Sequence, residues 1–564
     1  MKSFFKTCGL ALLVCAIPCW VAAQTSKFFY GDNDFQSANC FLMLPNGDMQ
    51  FGGRTNPTGV PTQRIGYLFG VDAASQTTFD YSRTYSQGNG QFEILSMDAT
   101  SVGNNIVSAG YTIPANQGHR DAFYMITTPA GGNFIHARFW NGPGNETARK
   151  IKALPDQSVV VVGKVVTNTV SGGVAQAFVT RIASGPTNNV IFHRLLGASD
   201  RPSAKDEAVA VEQLPDGRLL VLGTTQQFAR TSQGAIFLAV LALDGTVEAY
   251  HTYHFDASVF GPVAYDMTLF PDGTVVVVGN TENAQGSGTP NGFVMKVAPN
   301  LLTATFEEAN QPGLTHLGEE FRAVTRTANA NNYFIVGGAE RTVTGVTGYE
   351  ALAMRFDIAS GVQATKTTGF PGEDDEFFND VIERTPGLLE AVGSSEKSFR
   401  PITNLTNENV FDVRFSGFMT ECDWDAVVLE FTPKGVTHLE PNVQSATTMA
   451  TSVGTLAILN RGTFHRTLCS LNKMGEDIAD PADPTVAELP AIYPNPASGS
   501  ATLRIPELDG SAAVSIADMR GRVVQQITTA QPETALDLSA LAPGLYLVRI
   551  DTRTHQVMQR LIVQ

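Results

Sequence analysis

One turn recurs through most of this chain. Leu44-Pro45-Asn46-Gly47, Leu154-Pro155-Asp156-Gln157, Leu214-Pro215-Asp216-Gly217 and Phe270-Pro271-Asp272-Gly273 are copies of it. Degenerate copies sit at Ser101-Val102-Gly103-Asn104, Asn329-Ala330-Asn331-Asn332, Thr385-Pro386-Gly387 and Ser452-Val453-Gly454. The interval is about 57 residues, the length of one small supersecondary unit. A second mark fixes the register. Eight residues after the Pro position stand Gly53, Gly110, Gly163, Gly223, Gly279 and Gly338, and seven residues after Pro386 stands Gly393. A chain built this way stacks similar units and buries their faces against one another.

Each copy reads as four short strands. Residues 209–214 run into the Pro-Asp-Gly turn and 218–222 leave it, with Gly223 closing the strand. After a polar loop comes a third apolar strand at 235–241, with counterparts at 177–182, 292–297 and 426–431. A tight turn, Asp244-Gly245 or Lys434-Gly435, leads into an outer strand such as 246–255. β-branched runs bounded by Gly, Pro and Asp are strand and hairpin signals, and no stretch keeps a helical period. The expectation is an all-β chain whose residues 24–475 form a β-propeller. Seven copies are full. An eighth is incomplete, supplied by 446–451, 455–460 and 466–472 and closed by residues 26–30 of the N-terminal end. Eight blades are expected, with seven as the alternative. The copies resemble the Delta-60 family of bacterial repeats across roughly 38–475, a resemblance that implies fold and is nearly silent on activity.

The two ends read differently. Lys2 and Lys6, the apolar run 10–17 and Val21-Ala22-Ala23 have the pattern of a signal peptide over residues 1–23. Its removal takes two lysines and no acid, moving the formal charge from −16 to −18. Such a surface disfavours nucleic acid. No other stretch is apolar for long enough to span a membrane as a helix. Residues 476–486 are an acidic linker that includes Pro481 and Pro484. Residues 487–564 then read as a small immunoglobulin-like β-sandwich of about seven strands. Its motifs are Tyr493-Pro494-Asn495-Pro496, Asp518 to Val523 with Gly521, Leu538 with Leu541 to Tyr546 including Pro543 and Gly544, and Arg560 to Val563. Together these resemble the C-terminal sorting domain of type IX secretion. The resemblance implies handling by that secretion machinery, passage through the periplasm and outer membrane of a Gram-negative cell, and a secreted or surface-attached product. Attachment to surface lipopolysaccharide is one implied outcome.

Signals of chemistry are sparse. The nine histidines show no paired metal spacing. His251 and His254 lie three apart on one expected strand and so face opposite sides. Cys40, Cys422 and Cys469 remain after the leader, an odd number whose pairing the sequence leaves open. There is no Gly-x-Ser-x-Gly elbow and no phosphate-cradling loop. No catalytic residue or metal ligand is assigned.

Binding signals are better placed. The turns between strands one and two, and three and four, are tight. The loops at 55–64, 112–120, 281–291 and above all 394–423 are long and share one face with the connections between units. Ligands tend to be met by such loops. The 394–423 insertion carries Phe399, Arg400, Phe411, Arg414, Phe415 and Phe418, with Trp424 beside it, a mixture suited to sugar rings or a protein partner. Acids also recur before the innermost strand: Asp34, Glu146, Asp206, Glu207, Asp266, Glu320 and Asp374, Asp375 and Glu376. They suit a basic ligand or calcium, the one cofactor this pattern admits, or they accept backbone hydrogen bonds. The leading expectation is a non-catalytic module that binds an extracellular glycan or protein. A polysaccharide hydrolase or lyase using these carboxylates, and a structural adhesion protein, are the alternatives.

Overall fold

A computed structural model describes the strands and tight turns between residues 26 and 469 and between 491 and 563. Outside the description lie 1–25, 470–490, the longer connections (57–63, 73–78, 167–174, 198–204, 227–233, 283–289, 312–317, 369–374, 396–408 and 417–424) and several shorter stretches. Two compact units result, one made of the strands up to residue 469 and one of the strands from 491 onward.

Among the described residues the first unit holds seven antiparallel sheets of five strands each. Their innermost strands are Phe35–Met43, Gln91–Ala99, Thr147–Ala153, Glu207–Gln213, Phe260–Leu269, Glu319–Arg326 and Glu376–Thr385, which number sheets 1 to 7. In sheets 1 to 6 the next three strands of the chain follow in order. Sheet 7 takes only two, Leu388–Ser395 and Asn409–Ser416, and its fourth strand is Ser26–Gly31. The N-terminal strand therefore supplies the fourth strand of sheet 7, whereas the repeat assigned it to an eighth unit.

The turn residues earn their places by geometry. In Leu214-Pro215-Asp216-Gly217 the Gly217 amide donates to Leu214 O at 2.9 Å, and Gly217 has φ +92°. The Arg218 amide donates to Asp216 Oδ1 at 3.1 Å. Proline presets φ, aspartate accepts from the backbone two residues on, and glycine takes the left-handed conformation.

The recurring glycine has a different cause. Each innermost strand carries a one-residue bulge, centred on Asn39, Leu95, Arg149, Val209, Tyr265, Arg322 and Asn379. A glycine of the second strand stands opposite the residue just before each bulge. A Cβ on Gly53, Gly110, Gly163, Gly223, Gly279, Gly337 or Gly393 would lie 1.7 to 2.3 Å from a carbonyl oxygen of the bulged strand. Only glycine permits that approach. In sheet 6 the glycine that faces the bulged strand's carbonyl is Gly337; Gly338, which the count selects, is crowded instead by the Phe377 ring.

The sheets bury their faces against their neighbours in chain order. Leu222, Ile236 and Tyr253 of sheet 4 pack on Met267, Val277 and Phe293 of sheet 5. Sheet 7 packs on sheet 1 through Val392 and Val410 against Phe41, Phe51 and Phe69. Between sheets 6 and 7, Tyr349 packs on Phe377 at 4.6 Å and Phe334 on Phe415 at 6.2 Å.

The expected eighth unit does not form a sheet. Its segments, and the Ala426–Phe431 run read as a third strand, are spread as fifth strands over all seven sheets. Asp425–Ala426 pairs with sheet 6, Glu430–Lys434 with sheet 5, Val436–Leu439 with sheet 4 and Gln444–Ala446 with sheet 3. Ser452–Val453 pairs with sheet 2, Ala457–Asn460 with sheet 1 and Phe464–Cys469 with Ser26–Gly31 of sheet 7. The chain thus passes the sheets once forward and once back. Lys434-Gly435 is a step between two sheets, not a hairpin turn. The true third strand of sheet 7 is Asn409–Ser416, inside the stretch expected to be a loop.

The second unit has seven strands in two halves, Ala512–Asp518, Val523–Thr529, Gly544–Asp551 and Gln556–Val563 in one and Ala491–Ser498, Ser500–Arg504 and Glu533–Asp537 in the other, joined into one continuous sheet where Ala497 pairs in parallel with Val563. Leu503, Ile505, Val514, Ile516, Leu538, Val548, Ile550 and Leu561 fill the space between them.

Candidate functional site

The bulges position a set of side chains where the innermost strands converge. A bulge turns two successive residues toward the same side. In sheets 3, 5 and 7 the second of these is Lys150, Asp266 and Asp380. Lys150 Nζ lies 3.2 Å from Asp266 Oδ1, although one sheet stands between their strands. The strands therefore converge closely enough for side chains to meet across the middle. Asp266 Oδ2 accepts the Val324 amide of sheet 6 at 3.1 Å, and Asp380 Oδ2 accepts the Phe41 amide of sheet 1 at 3.2 Å. Ser96 accepts the Ile151 amide in the same way at 3.2 Å. In these three sheets an amide beside the bulge is satisfied by a side chain of the preceding sheet.

Charge in this tier is coupled. Burial pushes the Asp380 carboxyl up to about 6; Lys150 opposes the rise and Asp266 adds to it. Burial alone would lower the Lys150 ammonium, but Asp266 and Asp380 outweigh it and hold the group well above its usual range. Cys40 occupies the same position in sheet 1. It is buried and free, and burial with Asp380 nearby keeps its thiol protonated. The side chains of Cys422 and Cys469 lie outside the described residues.

The first residues of the bulges form an outer tier toward the end with the longer connections. Here side chains reach from one sheet to the next. Asn39 Nδ2 donates to Glu93 Oε1 at 3.2 Å, and Glu93 also takes Arg64 Nη1 at 3.0 Å and the Tyr111 hydroxyl. Arg149 pairs with Glu207, which also meets Lys164 at 3.3 Å. Arg322 pairs with Glu320 at 2.7 Å, donates to Asn379 Oδ1 at 2.6 Å and lies 4.0 Å over the Phe377 ring. Asn379 donates onward to Ala38 O at 2.9 Å. Among these paired groups stand two apolar side chains with solvent access, Tyr265 at 43% and Val263 at 41% exposure. The result is a rim of paired acids and cations in which Tyr265 stands near Arg149, Glu207, Glu320 and Arg322.

The acids read from the sequence do not share one setting. Glu146, Asp206 and Glu376, with Glu319 in sheet 6, occupy one position of the repeat and are wholly buried. Asp206 accepts the Gln226 amide at 2.9 Å and Glu376 accepts from Ser395 Oγ at 2.9 Å, so these carboxylates hold the end of their own second strand. Burial, with Asp121 beside it, pushes Glu146 up to about 8. Burial likewise brings Glu319 to about 8. Glu207 and Glu320 belong to the rim, and Asp266 to the inner tier. Although burial would raise Glu207, Arg149 and Lys164 hold it below the usual carboxylate range. Asp375 accepts the Tyr349 amide at 2.7 Å. Asp34 and Asp374 lie outside the described residues.

The aromatic and arginine cluster is corrected. Phe411 and Phe415 have no exposed surface, and Phe411 stacks on Phe378 at 5.6 Å. Arg414 is buried and pairs with Glu390 at 3.0 Å. These three belong to the core because their segment is a strand. Phe399, Arg400, Phe418 and Trp424 lie outside the described residues. The residues that do converge, Lys150, Asp380, Arg149, Tyr265 and Arg322, were not singled out from the sequence. Five residues before the turn prolines stand Cys40, Lys150, Ala210 and Asp266, so reading that column of the repeat would have found the inner tier.

In the second unit Tyr493 is 44% exposed and its hydroxyl donates to Glu533 at 3.1 Å. Tyr546 is buried and its hydroxyl donates to Ala542 O at 2.8 Å, fixing the turn before its own strand. Gly544 opens that strand. Pro494, Asn495 and Pro496 lie within Ala491–Ser498 and Arg560 within Gln556–Val563. Gly521 and Pro543 lie outside the described residues.

Residues 491–564 match the family described as the secretion system C-terminal sorting domain. That domain marks the protein for the type IX machinery, which delivers it to the cell surface or releases it. Among the described residues no helix is long and apolar enough to cross a membrane. No curated protein matches the chain. Among the solved structures that are similar are the following three. A protein of unknown function from Dyadobacter fermentans is 10% identical with a TM-score of 0.40, over 70% of this chain and 98% of that one. PorZ, a surface component of the type IX secretion system of Porphyromonas gingivalis, is 13% identical with a TM-score of 0.37, over 93% and 69%. A GH43_12 protein from a capybara gut metagenome is 9% identical with a TM-score of 0.26, over 74% and 99%.

Proposed function

We propose that the seven sheets are the blades of a seven-bladed β-propeller, exported as cargo of the sorting domain, and that its rim binds an extracellular glycan without turning it over. The observation that carries this reading is the rim itself. Exposed Tyr265 offers a flat apolar face for a sugar ring. Arg149, Glu207, Glu320 and Arg322 stand near it, and with Glu93 and Asn379 they supply acceptors and donors already held by one another, a preorganised hydrogen-bonding frame. The same pairing argues against catalysis there. A general acid needs a carboxyl with a raised pKa, and Glu207 is held low by its two cations. Glu146 and Glu319 have raised values but no surface a substrate could touch. The leader at 1–23, the linker at 476–486 and attachment to surface lipopolysaccharide belong to the same reading.

A glycan array probed with the purified full chain tests it. A bound glycan class that is lost in both Tyr265→Ala and Arg322→Ala, with the melting temperature unchanged, supports the reading. Release of products from a bound glycan overturns it. One observation favours that second outcome: Asp380 at about 6 stands beside Lys150 and Asp266. Turnover abolished by Asp380→Asn would assign a hydrolase or lyase to the inner tier.

A further inference from the structure

The returning strand at sheet 4 brings together three metal-binding side chains that are far apart in sequence. His251 lies on the outer strand Val247–Phe255, and the returning strand Val436–Leu439 pairs antiparallel to it, with Thr252 opposite Leu439 and Tyr253 opposite His438. Continuing that register sets His251 across from Glu440. Residues two apart on a strand share a face. His251, His438 and Glu440 are therefore on one face. His251 Nδ1 lies 2.9 Å from His438 Nε2 and 3.6 Å from Glu440 Oε1, and the three ligand atoms lie within 4.8 Å of one another. His254, three residues along, faces the other way and meets Thr252 Oγ1 at 3.0 Å.

We infer that His251, His438 and Glu440 form a binding site for a divalent transition cation of the Zn²⁺ type, which fastens the returning strand to sheet 4. Two imidazoles and a carboxylate are a zinc-type donor set, with a water completing four-coordination. Bonds of about 2.05 Å at tetrahedral angles hold ligand atoms about 3.3 Å apart. The two observed separations from His251 Nδ1 bracket that value. The neighbouring pair needs to open slightly, and the Glu440 side chain, 59% exposed, is free to swing inward. The imidazoles ligate a cation in their neutral form. Each keeps one N–H, on the ring nitrogen turned away from the cation. The position explains the use. The ladder here is only four residue pairs long, and the site sits just past its end, where the strand would otherwise fray. The inference is independent of the glycan reading, because the site lies on the outer edge of a sheet, away from the rim.

Calorimetric titration of the tag-free full chain with Zn²⁺, and with Co²⁺ followed by visible absorption, tests the site. One equivalent should bind, with the intense absorption of four-coordinate Co²⁺ bleached by Zn²⁺. His438→Ala should weaken binding about 100-fold and Glu440→Gln about tenfold. Zn²⁺ at about 100 times its Kd should raise the melting temperature of the unsubstituted chain by about 3 °C. His438 and Glu440 are not core residues, so a circular dichroism spectrum confirms that the variants stay folded. Absence of stoichiometric binding at 100 µM Zn²⁺ (about the weakest affinity a fastening role permits), or binding undiminished in both variants, overturns the inference.

Discussion

The forward and returning passes of the chain build the same seven sheets by different rules. The forward pass supplies three or four strands to each sheet and repeats a recognisable pattern. The returning pass adds one short strand to each, from Asp425 to Cys469, and repeats nothing. The difference lies in what each position demands. A turn or a bulge allows few residue types, because a Cβ or an amide would be in the wrong place. An outermost edge strand asks only for backbone amides and carbonyls, which nearly every residue has. A pass held mainly by its backbone leaves little trace in sequence.

The sharpest test is to violate the strictest demand of the forward pass. Gly163→Ala would set a methyl carbon 1.9 Å from Thr147 O, with Phe178 also within 3 Å. Backbone on one side and a buried ring on the other leave no room to yield. The expected loss is about 3–5 kcal/mol, read from denaturant unfolding of the full chain. A loss below about 1 kcal/mol would break the claim that the bulge dictates the glycine.

The forward pass also carries the buried charge, and this gives it a pH dependence. Asp380 is raised in the folded chain, so the native state holds its proton at pH values where the unfolded chain has lost it. Stability from this group is fully present below about pH 4 and is lost as pH rises through about 6. Glu146 and Glu319 act with the same sign and extend the decline toward about pH 8. Asp380→Asn keeps an acceptor for the Phe41 amide and removes the charge. It should raise stability at pH 7 by about 1–3 kcal/mol and flatten the profile between pH 4 and 6. A steeper profile in the variant would reverse the assignment.

The returning pass is held at a few side-chain anchors. Phe431 packs edge-on to Phe356 at 5.4 Å and faces Phe321 at 6.3 Å. It is only half-buried, so Phe431→Ala should cost about 2 kcal/mol, less than a full core deletion. Hydrogen exchange should quicken in Glu430–Lys434 and Ala304–Asn310 and stay unchanged in sheets 1 and 2. Global unfolding at that cost would mean the returning strands are not added locally but bind the unit as one piece.

This division explains what could be read in advance. The strand order within each unit, the turn and the seven strands of the sorting domain all rest on positions with narrow chemistry. The eighth unit was misread because Ala426–Phe431 and Ser452-Val453-Gly454 imitate the forward pattern by composition while pairing elsewhere. The Phe411, Arg414 and Phe415 cluster was misread for the same reason: once the third strand of sheet 7 was placed too late, its true residues became a loop. The rim and the His251 site were invisible for another cause. Their members come from different sheets, and only the converging strands or the returning pass bring them together.

Even within the forward pass the two demands differ in strength, and a small effect measures this. The bulge glycine is present in all seven sheets, while the turn glycine is Gln157 in sheet 3 and Asn104 in sheet 2, both at positive φ. A non-glycine residue at φ +69° costs about 1 kcal/mol. Gln157 recovers part of it, since its Oε1 accepts the Val102 amide at 3.1 Å and its Nε2 donates to Ser101 and to Pro155 O. These bonds are exposed, and exposed bonds return only a fraction of a kcal/mol each. Gln157→Gly should therefore stabilise the unit by about 0.5 kcal/mol, visible as a small rise in the denaturant midpoint with an unchanged slope. A loss of stability would mean the side chain's link to the neighbouring turn outweighs its backbone strain. The turn would then owe its tolerance to compensation from sheet 2. A gain shows that the turn simply bears a cost that the bulge, with a carbonyl at contact distance, has no means to bear.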